Sequence, residues 1–363
     1  MPSASRIIIC AAGGGKTTRI VTDALGETAS RVALVTYTRN NEREIERKFY
    51  ERGAVIPARV EVMTWFVFLL YELARPYRSS LHDQRIESIC WVDSRSVKFV
   101  KETNVAAHYF VDGRSIYSDK IAKFVVECNR RSGGAVMRRL AERFDHIFVD
   151  EVQDLVGYDL EVLEMILKAN IRLSLVGDHR QAILRTNPSN KNAAFAGVNI
   201  IKKLRHWQNG KLAVLSYEQQ TYRCAQRIAD LADSFFPNEP ATTSMQATET
   251  GHDGIFIIAS TDVASYVAKF GPQVLRYSKT TNCQGLPAMN FGEAKGLTFD
   301  RVLIFPHGPA TKWLRTGALA HVQASLSRMY VGVTRARYSV AFVHDGIAMI
   351  AGAQQYAPLS DAT

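Results

Sequence analysis

The sequence predicts an α/β protein made of two domains with parallel sheets. Three observations carry this expectation: short β-branched runs recur, most are separated by segments of helical periodicity, and 363 residues exceed one ordinary core. The first runs are "RIIIC" at 6–10, "RVALVTYT" at 31–38, "RVEVMTW" at 59–65, "HIFVD" at 146–150 and "IRLSLVGD" at 171–178. Between them lie segments such as "NNEREIERKFYERG" at 40–53, apolar at helical spacing on a charged background, which gives βαβ units. A second series, "KLAVLSY" at 211–217, "GIFIIAS" at 254–260, "QVLRYS" at 273–278, "RVLIFPH" at 301–307 and "YSVAFVHD" at 338–345, predicts the second domain. Residues 75–143 interrupt the first series with a mixed pattern and read as an insertion. The expected division is therefore 1–74 and 144–205 for the first domain, 75–143 for the insertion, 206–353 for the second domain, and 354–363 for a disordered tail. The polar run at 237–254 reads as a loop within the second domain.

Composition narrows the function classes. A hydrophobic share of 47% with 22% charged residues describes a globular chain, and a net charge of +10 suits a polyanionic partner. The five cysteines, Cys10, Cys90, Cys128, Cys224 and Cys283, show no CxxC spacing, which disfavours a zinc ribbon or a disulfide framework and fits a reducing cytoplasm. "RIIICAA" is too short to span a membrane and "FVFLLYELA" is broken by Glu72, so neither secretion nor insertion is expected. "GHDG" at 251–254 reads as a turn rather than a metal site.

"IIICAAGGGKTTRIV" at 7–21 runs strand, glycine turn, helix, the setting a phosphate loop requires. Gly13, Gly14 and Gly15 let backbone amides approach phosphate oxygens, Lys16 supplies a positive charge, and Thr17, followed by Thr18, places a hydroxyl where Mg²⁺ would sit. The strict pattern has glycine where this chain has Cys10. "DHIFVDEVQD" at 145–154 gathers Asp150, Glu151 and Asp154 at a strand exit, an arrangement folding alone does not favour. Mg²⁺ bridging ATP phosphates would compensate Asp150 at the end of a neighbouring strand, leaving Glu151 to orient or deprotonate the attacking water.

With these motifs in place, the sequence resembles superfamily 1A helicases of the UvrD/Rep type, in a compact form. "AAGGGKTT" looks like motif I, "ALVTYTRNNERE" like motif Ia, "VMTWFVFLL" like the element that follows it, "VDEVQD" like motif II and "LVGDHRQAI" like motif III. "SYEQQTYRCAQRIADLA", "NFGEAKGLTFDRVLIF" and "SRMYVGVTRAR" are similar to motifs IV, V and VI, in the family's order. The resemblance implies two RecA-like P-loop domains with ATP between them. It also implies that Gln181 senses the γ-phosphate, that Arg223 and Arg335 act as arginine fingers, and that Lys295 and Gly296 lie where the nucleotide and DNA sites communicate. Thr36, Thr38, Thr64 and Trp65 would touch single-stranded DNA.

Departures from the pattern shape the expectation further. Only nine residues precede Cys10, leaving no room for the upstream glutamine element that reads adenine, and Thr298 stands where a glutamate is common, so weak base selectivity is expected. Ala182, Leu184 and Thr186 occupy the region of the usual base-stacking aromatics, leaving Trp65, Phe66 and Trp207 as alternatives that also read as core. Between Arg223 and Lys295 lie 71 residues, too few for the family's large second insertion. Residues 75–143 carry 14 Lys or Arg against 8 Asp or Glu, a net +6, with Arg130 and Arg131 in a stretch that reads either as a rail for phosphates or as a solvated helix face. The function expected is that of an ATP- and Mg²⁺-dependent DNA helicase or single-stranded DNA translocase, with the 3′→5′ polarity that the resemblance implies, RNA left open and a protein partner such as a nuclease or a DNA-repair or defence subunit envisaged. Two alternatives stay open: a DNA-stimulated ATPase serving as a sensor subunit, for example in phage defence, and a nucleotide-gated nucleic-acid binding module.

Overall fold

The computed structural model describes residues 5–27, 30–53 and 55–358. The chain divides into two compact units, Met1–Ile9 with Lys16–Ser216 and Cys10–Gly15 with Tyr217–Thr363.

The first unit is organised by a six-stranded sheet in the order Val60–Thr64, Val32–Thr36, His146–Val149, Arg172–Gly177, Arg6–Cys10, Val214–Glu218. Its first five strands pair in parallel. The strands read as continuous apolar runs because helices cover both faces, and every residue of Val32–Thr36 and His146–Val149 is buried. Helix Lys16–Gly26 turns Ile20, Val21 and Ala24 inward, and Arg39–Gly53 buries Ile45 and Phe49, four residues apart on one face. The sixth strand corrects the sequence reading: "KLAVLSY" closes the first sheet instead of opening the second, with the Val214 amide bonded to the Ser5 carbonyl at 2.9 Å. A β-branched run signals a strand, but which sheet receives it depends on distant partners.

Residues 75–143 fold as part of the first unit. Ser88–Cys90 pairs with Ser115–Tyr117, and helices Ile121–Arg131 and Ala135–Arg143 follow. Tyr109, Phe110 and Phe124 meet edge to face in its core. Just before this segment, the "FVFLLYELA" stretch is helical, with Phe68–Ala74 wound as a π-helix that buries Phe68, Leu69, Leu70, Leu73 and Ala74. The apolar run is thus a core helix.

The second unit holds another six-stranded parallel sheet, ordered Met289–Asn290, Gln273–Arg276, Phe299–Phe305, Ala336–Val343, Gly254–Ile258, Ala353–Gln355. Alternate residues face opposite layers: Ile255, Ile257, Val302, Ile304, Val340 and Phe342 pack with helix Gln226–Ser234, whereas Phe256, Ile258, Leu303, Phe305, Ala341 and Val343 pack with Val263–Phe270. Ala353–Gln355 corrects the expected disordered tail, since it forms an edge strand beside Gly254–Ile258 and Tyr356 packs on the core that follows. Residues 359–363 of that expectation lie outside the described residues. In the 251–254 turn, His252 is stacked between Phe256 and Phe270 at 3.9 and 3.8 Å and bonded to the Tyr266 hydroxyl. Burial pulls its pKa down to about 4, and no metal-holding cluster occurs among the described residues. No helix of the described residues is long and apolar enough to cross a membrane.

Candidate active site

The first sheet delivers its functional groups at strand ends. Lys16 opens the helix after the glycine turn, and its ammonium lies 3.9 Å from Glu151 Oε1. The Thr17 hydroxyl donates to Asp150 Oδ2 at 3.3 Å, and Thr18 is half-buried on the same turn. Asp150 ends a strand that is not the immediate neighbour of Arg6–Cys10, as the sequence reading had it, but the next but one, with Arg172–Gly177 between them. The intervening strand brings its own polar group. Asp178 receives the Arg180 guanidinium at 2.9 Å and the Gln181 side-chain amide at 3.0 Å, and its backbone amide donates to Gln153 Oε1 at 3.1 Å. The Gln153 amide donates in turn to the Glu151 carboxylate. A chain of hydrogen bonds therefore runs Glu151, Gln153, Asp178, Gln181 across two paired strands.

Strain and charge concentrate here. Glu151 holds φ 57° and ψ 41°, a left-handed conformation. For a residue with a Cβ this costs about 1–2 kcal/mol. Burial, and then the adjacent Glu151 charge, pushes the Asp150 carboxyl up to about 7 against the opposing pull of Lys16. Burial acts the same way on Asp178, but Arg180, Lys16 and His179 outweigh it and hold that carboxyl well below its usual range.

The glycine turn belongs to the second compact unit, where it meets the residues that follow strand Val214–Glu218. A side-chain carbon at Gly13, whose φ is +74°, would lie 2.5 Å from Arg223 Cβ, and one at Gly14 would lie 2.8 Å from the Gln220 carbonyl oxygen. Only glycine admits this approach. The Thr221 hydroxyl donates to the Ala12 carbonyl at 2.7 Å, the Tyr222 amide to the Gly13 carbonyl at 3.1 Å, and the Ala12 amide to the Tyr330 hydroxyl at 3.4 Å. Gly15 also has positive φ.

Arg223 and Arg335 come together on Thr334. Arg223 Nη1 donates to the Thr334 carbonyl at 3.1 Å and Arg335 Nη2 to the Thr334 hydroxyl at 3.3 Å. Arg335 is buried, with Nε on the Val331 carbonyl and Nη1 on the Leu297 carbonyl. Leu297 directly follows Lys295 and Gly296, and Gly296 takes φ +85° in that turn.

Of the groups expected to touch a strand, Thr36 is buried at a strand end, Thr38 caps helix Arg39–Gly53 by accepting the Asn41 amide, and Thr64 caps the next helical turn by accepting the Val67 amide. Trp65 is a correction. Its indole is buried and its Nε1 donates to Asp159 at 2.9 Å, which makes it core instead of a stacking surface. Phe66 and Trp207 are buried as well, and Thr186 bonds Asp154 and Asp159. Arg130 and Arg131 are exposed, and both grip Glu127 at 2.9 Å on their own helix. The sequence reading missed Gln153, Asp178, Thr221, Tyr330 and Thr334. Gln153 and Asp178 stand inside the "VDEVQD" and "LVGDHRQAI" runs, but the sequence reading gave neither a role.

Fold and site together define a phosphate-loop α/β protein with two parallel-sheet units. Residues 117–190 match the UvrD/REP helicase N-terminal domain. It is 35% identical over 107 residues to a probable DNA helicase II homolog of Mycoplasma genitalium, a match covering 29% of this chain and 14% of that protein. Among solved structures, the complex of Arterivirus nonstructural protein 10 (helicase) with DNA aligns with a TM-score of 0.50 at 16% identity, over 93% of this chain and 60% of that one. The same viral helicase in a second crystal structure gives 0.49 at 15% identity, over 93% and 59%. The chain thus spans about three fifths of the solved helicases it matches and a seventh of the curated relative.

Proposed function

We propose that this chain hydrolyses ATP with Mg²⁺ and couples the hydrolysis to 3′→5′ movement along single-stranded DNA. The observation that carries the reading is the cluster in which Thr17 bonds Asp150 while Lys16 faces Glu151. A buried carboxylate beside one hydroxyl suits a magnesium ion that would take its remaining ligands from phosphates and water. Bound Mg²⁺ would offset negative charge on the phosphate oxygens. Lys16 adds a second positive charge at the phosphates. Glu151, aimed by Gln153, takes the proton of the attacking water, and Gln181, fixed by Asp178, faces the transferred group. Arg223 and Arg335 stabilise charge developing on that group, an effect worth about 10³–10⁵ in rate in other NTPases.

The experiment is steady-state phosphate release with and without single-stranded DNA. Stimulation by DNA, abolished by Lys16→Ala, supports the reading. Turnover indifferent to any oligonucleotide, or none at all, overturns it. The small segment between Arg223 and Lys295 favours a second reading, in which the same ATPase reports on DNA as a sensor subunit.

A further inference from the structure

The expected stacking residues are buried, yet the first unit exposes Tyr50, Tyr71, Trp91 and Phe99, aromatic groups that nothing in the preceding account employs. Trp91, in the loop after strand Ser88–Cys90, is 66% exposed, whereas Trp65, Trp207 and Trp313 are 1%, 0% and 3% exposed. Its ring stands edge-on to Phe66 at 4.7 Å, and Phe66 lies 6.2 Å from Tyr37. Tyr37 and Phe66 follow the ends of adjacent strands, Val32–Thr36 and Val60–Thr64, so the cluster rests on the rigid edge of the sheet. The loop continues as "WVDSRSVKFVK", in which Phe99 is 96% exposed and Arg95, Lys98 and Lys101 are exposed. Among the described residues none of these three cations makes an ion pair. The loop is nonetheless anchored: the Val92 amide donates to the Ser118 hydroxyl at 3.1 Å and the Ser96 amide to Asp119 at 3.2 Å.

We propose that Trp91 is the base-stacking platform of this protein, holding a single-stranded nucleic acid by one exposed indole face while Arg95, Lys98 and Lys101 meet its phosphates. An indole braced from behind by Phe66 presents a flat surface with little rotamer freedom to lose, and interleaved cations supply the sequence-independent attraction a polyanion needs. An apolar protein partner would not call for three unpaired cations in one loop. This inference rests on the nucleic-acid reading above and adds the residue that would carry the contact.

The position of the tryptophans makes the test direct. Full-length protein is titrated with oligothymidylate and, separately, oligouridylate, following tryptophan emission together with the anisotropy of a labelled oligomer. Binding is expected to quench the emission. Trp91→Ala is expected to abolish the quench and weaken binding about tenfold, with Trp91→Phe recovering part of the affinity. The salt dependence of Trp91→Ala stays that of the native protein, whereas replacing Arg95, Lys98 and Lys101 by Gln flattens it by about 0.7 in slope for each phosphate left without its cation. The two oligomers show which strand the platform prefers. Undiminished affinity in Trp91→Ala overturns the platform and leaves the nucleic-acid reading intact. Failure of the native protein to bind either oligomer overturns that reading and the platform with it.

Discussion

Asp150 and Glu151 are adjacent and carry opposite demands. In the proposed mechanism Glu151 must be ionised to take a proton, while Asp150 is buried and keeps its own proton until about pH 7. Because its folded pKa lies above the ordinary value of 3.8, the stability tied to the protonated form is complete at low pH and is lost as pH rises through about 7. Asp159, raised to about 6 by burial, adds a loss of the same sign. The ligand-free protein should therefore melt at a lower temperature at about pH 8 than at about pH 6, and Asp150→Asn should raise the melting temperature at the higher pH while removing hydrolysis. Thermal melts across this range check it, and an Asp150→Asn protein less stable than the native one at about pH 8 would count against a buried charge there. A second pair of variants separates binding from chemistry. Lys16→Ala should weaken nucleotide binding, whereas Glu151→Gln should keep it and slow hydrolysis by about 10²–10⁴. A near-native rate in Glu151→Gln would remove Glu151 from the role of base. The sequence pointed to Lys16, Thr17, Asp150 and Glu151 because glycine, lysine and threonine after a strand constrain the backbone that presents them. The Gln153 and Asp178 relay was illegible, since it depends on the register between two strands 26 residues apart.

At the scale of elements, helix Ile121–Arg131 is informative because it holds its cations in reserve. Hydrogen bonds from Arg130, with burial opposing and Arg131 assisting, lower Glu127 to about 2, so the carboxylate stays ionised and clasps both arginines at any physiological pH. Arg139 is committed elsewhere, to the Glu72 carbonyl and carboxylate, and Arg138 to the Gly133 carbonyl. The stretch at 129–143, read from sequence as one basic run, thus holds five arginines, of which Arg130, Arg131 and Arg138 are exposed while Arg139 and Arg143 both reach Glu72 on the preceding helix. Glu127→Gln should free Arg130 and Arg131 and strengthen binding to all single strands alike. Replacing both arginines should weaken it and flatten the salt dependence by about 0.7 in slope for each phosphate they neutralise. Filter binding at several salt concentrations decides, and unchanged slopes would make this a solvated face. Elements themselves were legible wherever the period was strong, as at Arg39–Gly53. The π-helical winding of Phe68–Ala74 was not, because a largely apolar run broken only at Tyr71 and Glu72 does not reveal its period.

For the whole molecule, two parallel sheets follow from the alternation of β-branched runs with helices, and both were legible. Their membership was less so, since a strand's sheet is chosen by long-range pairing that local pattern does not encode. The modest segment between Arg223 and Lys295 bears on activity. We expect the isolated chain to show DNA-stimulated hydrolysis with weak, non-processive unwinding, a partner protein supplying grip on the duplex. Unwinding of a 3′-tailed duplex under single-turnover conditions with a trap for rebinding is the measurement. Processive separation of long duplexes by the purified chain would show that no partner is needed.

The strand Val214–Glu218 has one more consequence, for the order in which the protein is made. Arg6–Cys10 leaves the ribosome first, yet it lies between Arg172–Gly177 and Val214–Glu218, so both of its partners are synthesised far later. Until residue 218 has emerged, one side of the nascent sheet is an open apolar edge, the kind that recruits other chains. A gene fragment cut at Arg205, where sequence pattern alone sets the first domain's end, should yield insoluble protein, whereas one extended to Gln220 should be recovered in soluble form. The cell faces the same interval at every round of translation, and holding chaperones are expected on this nascent chain for the whole of it.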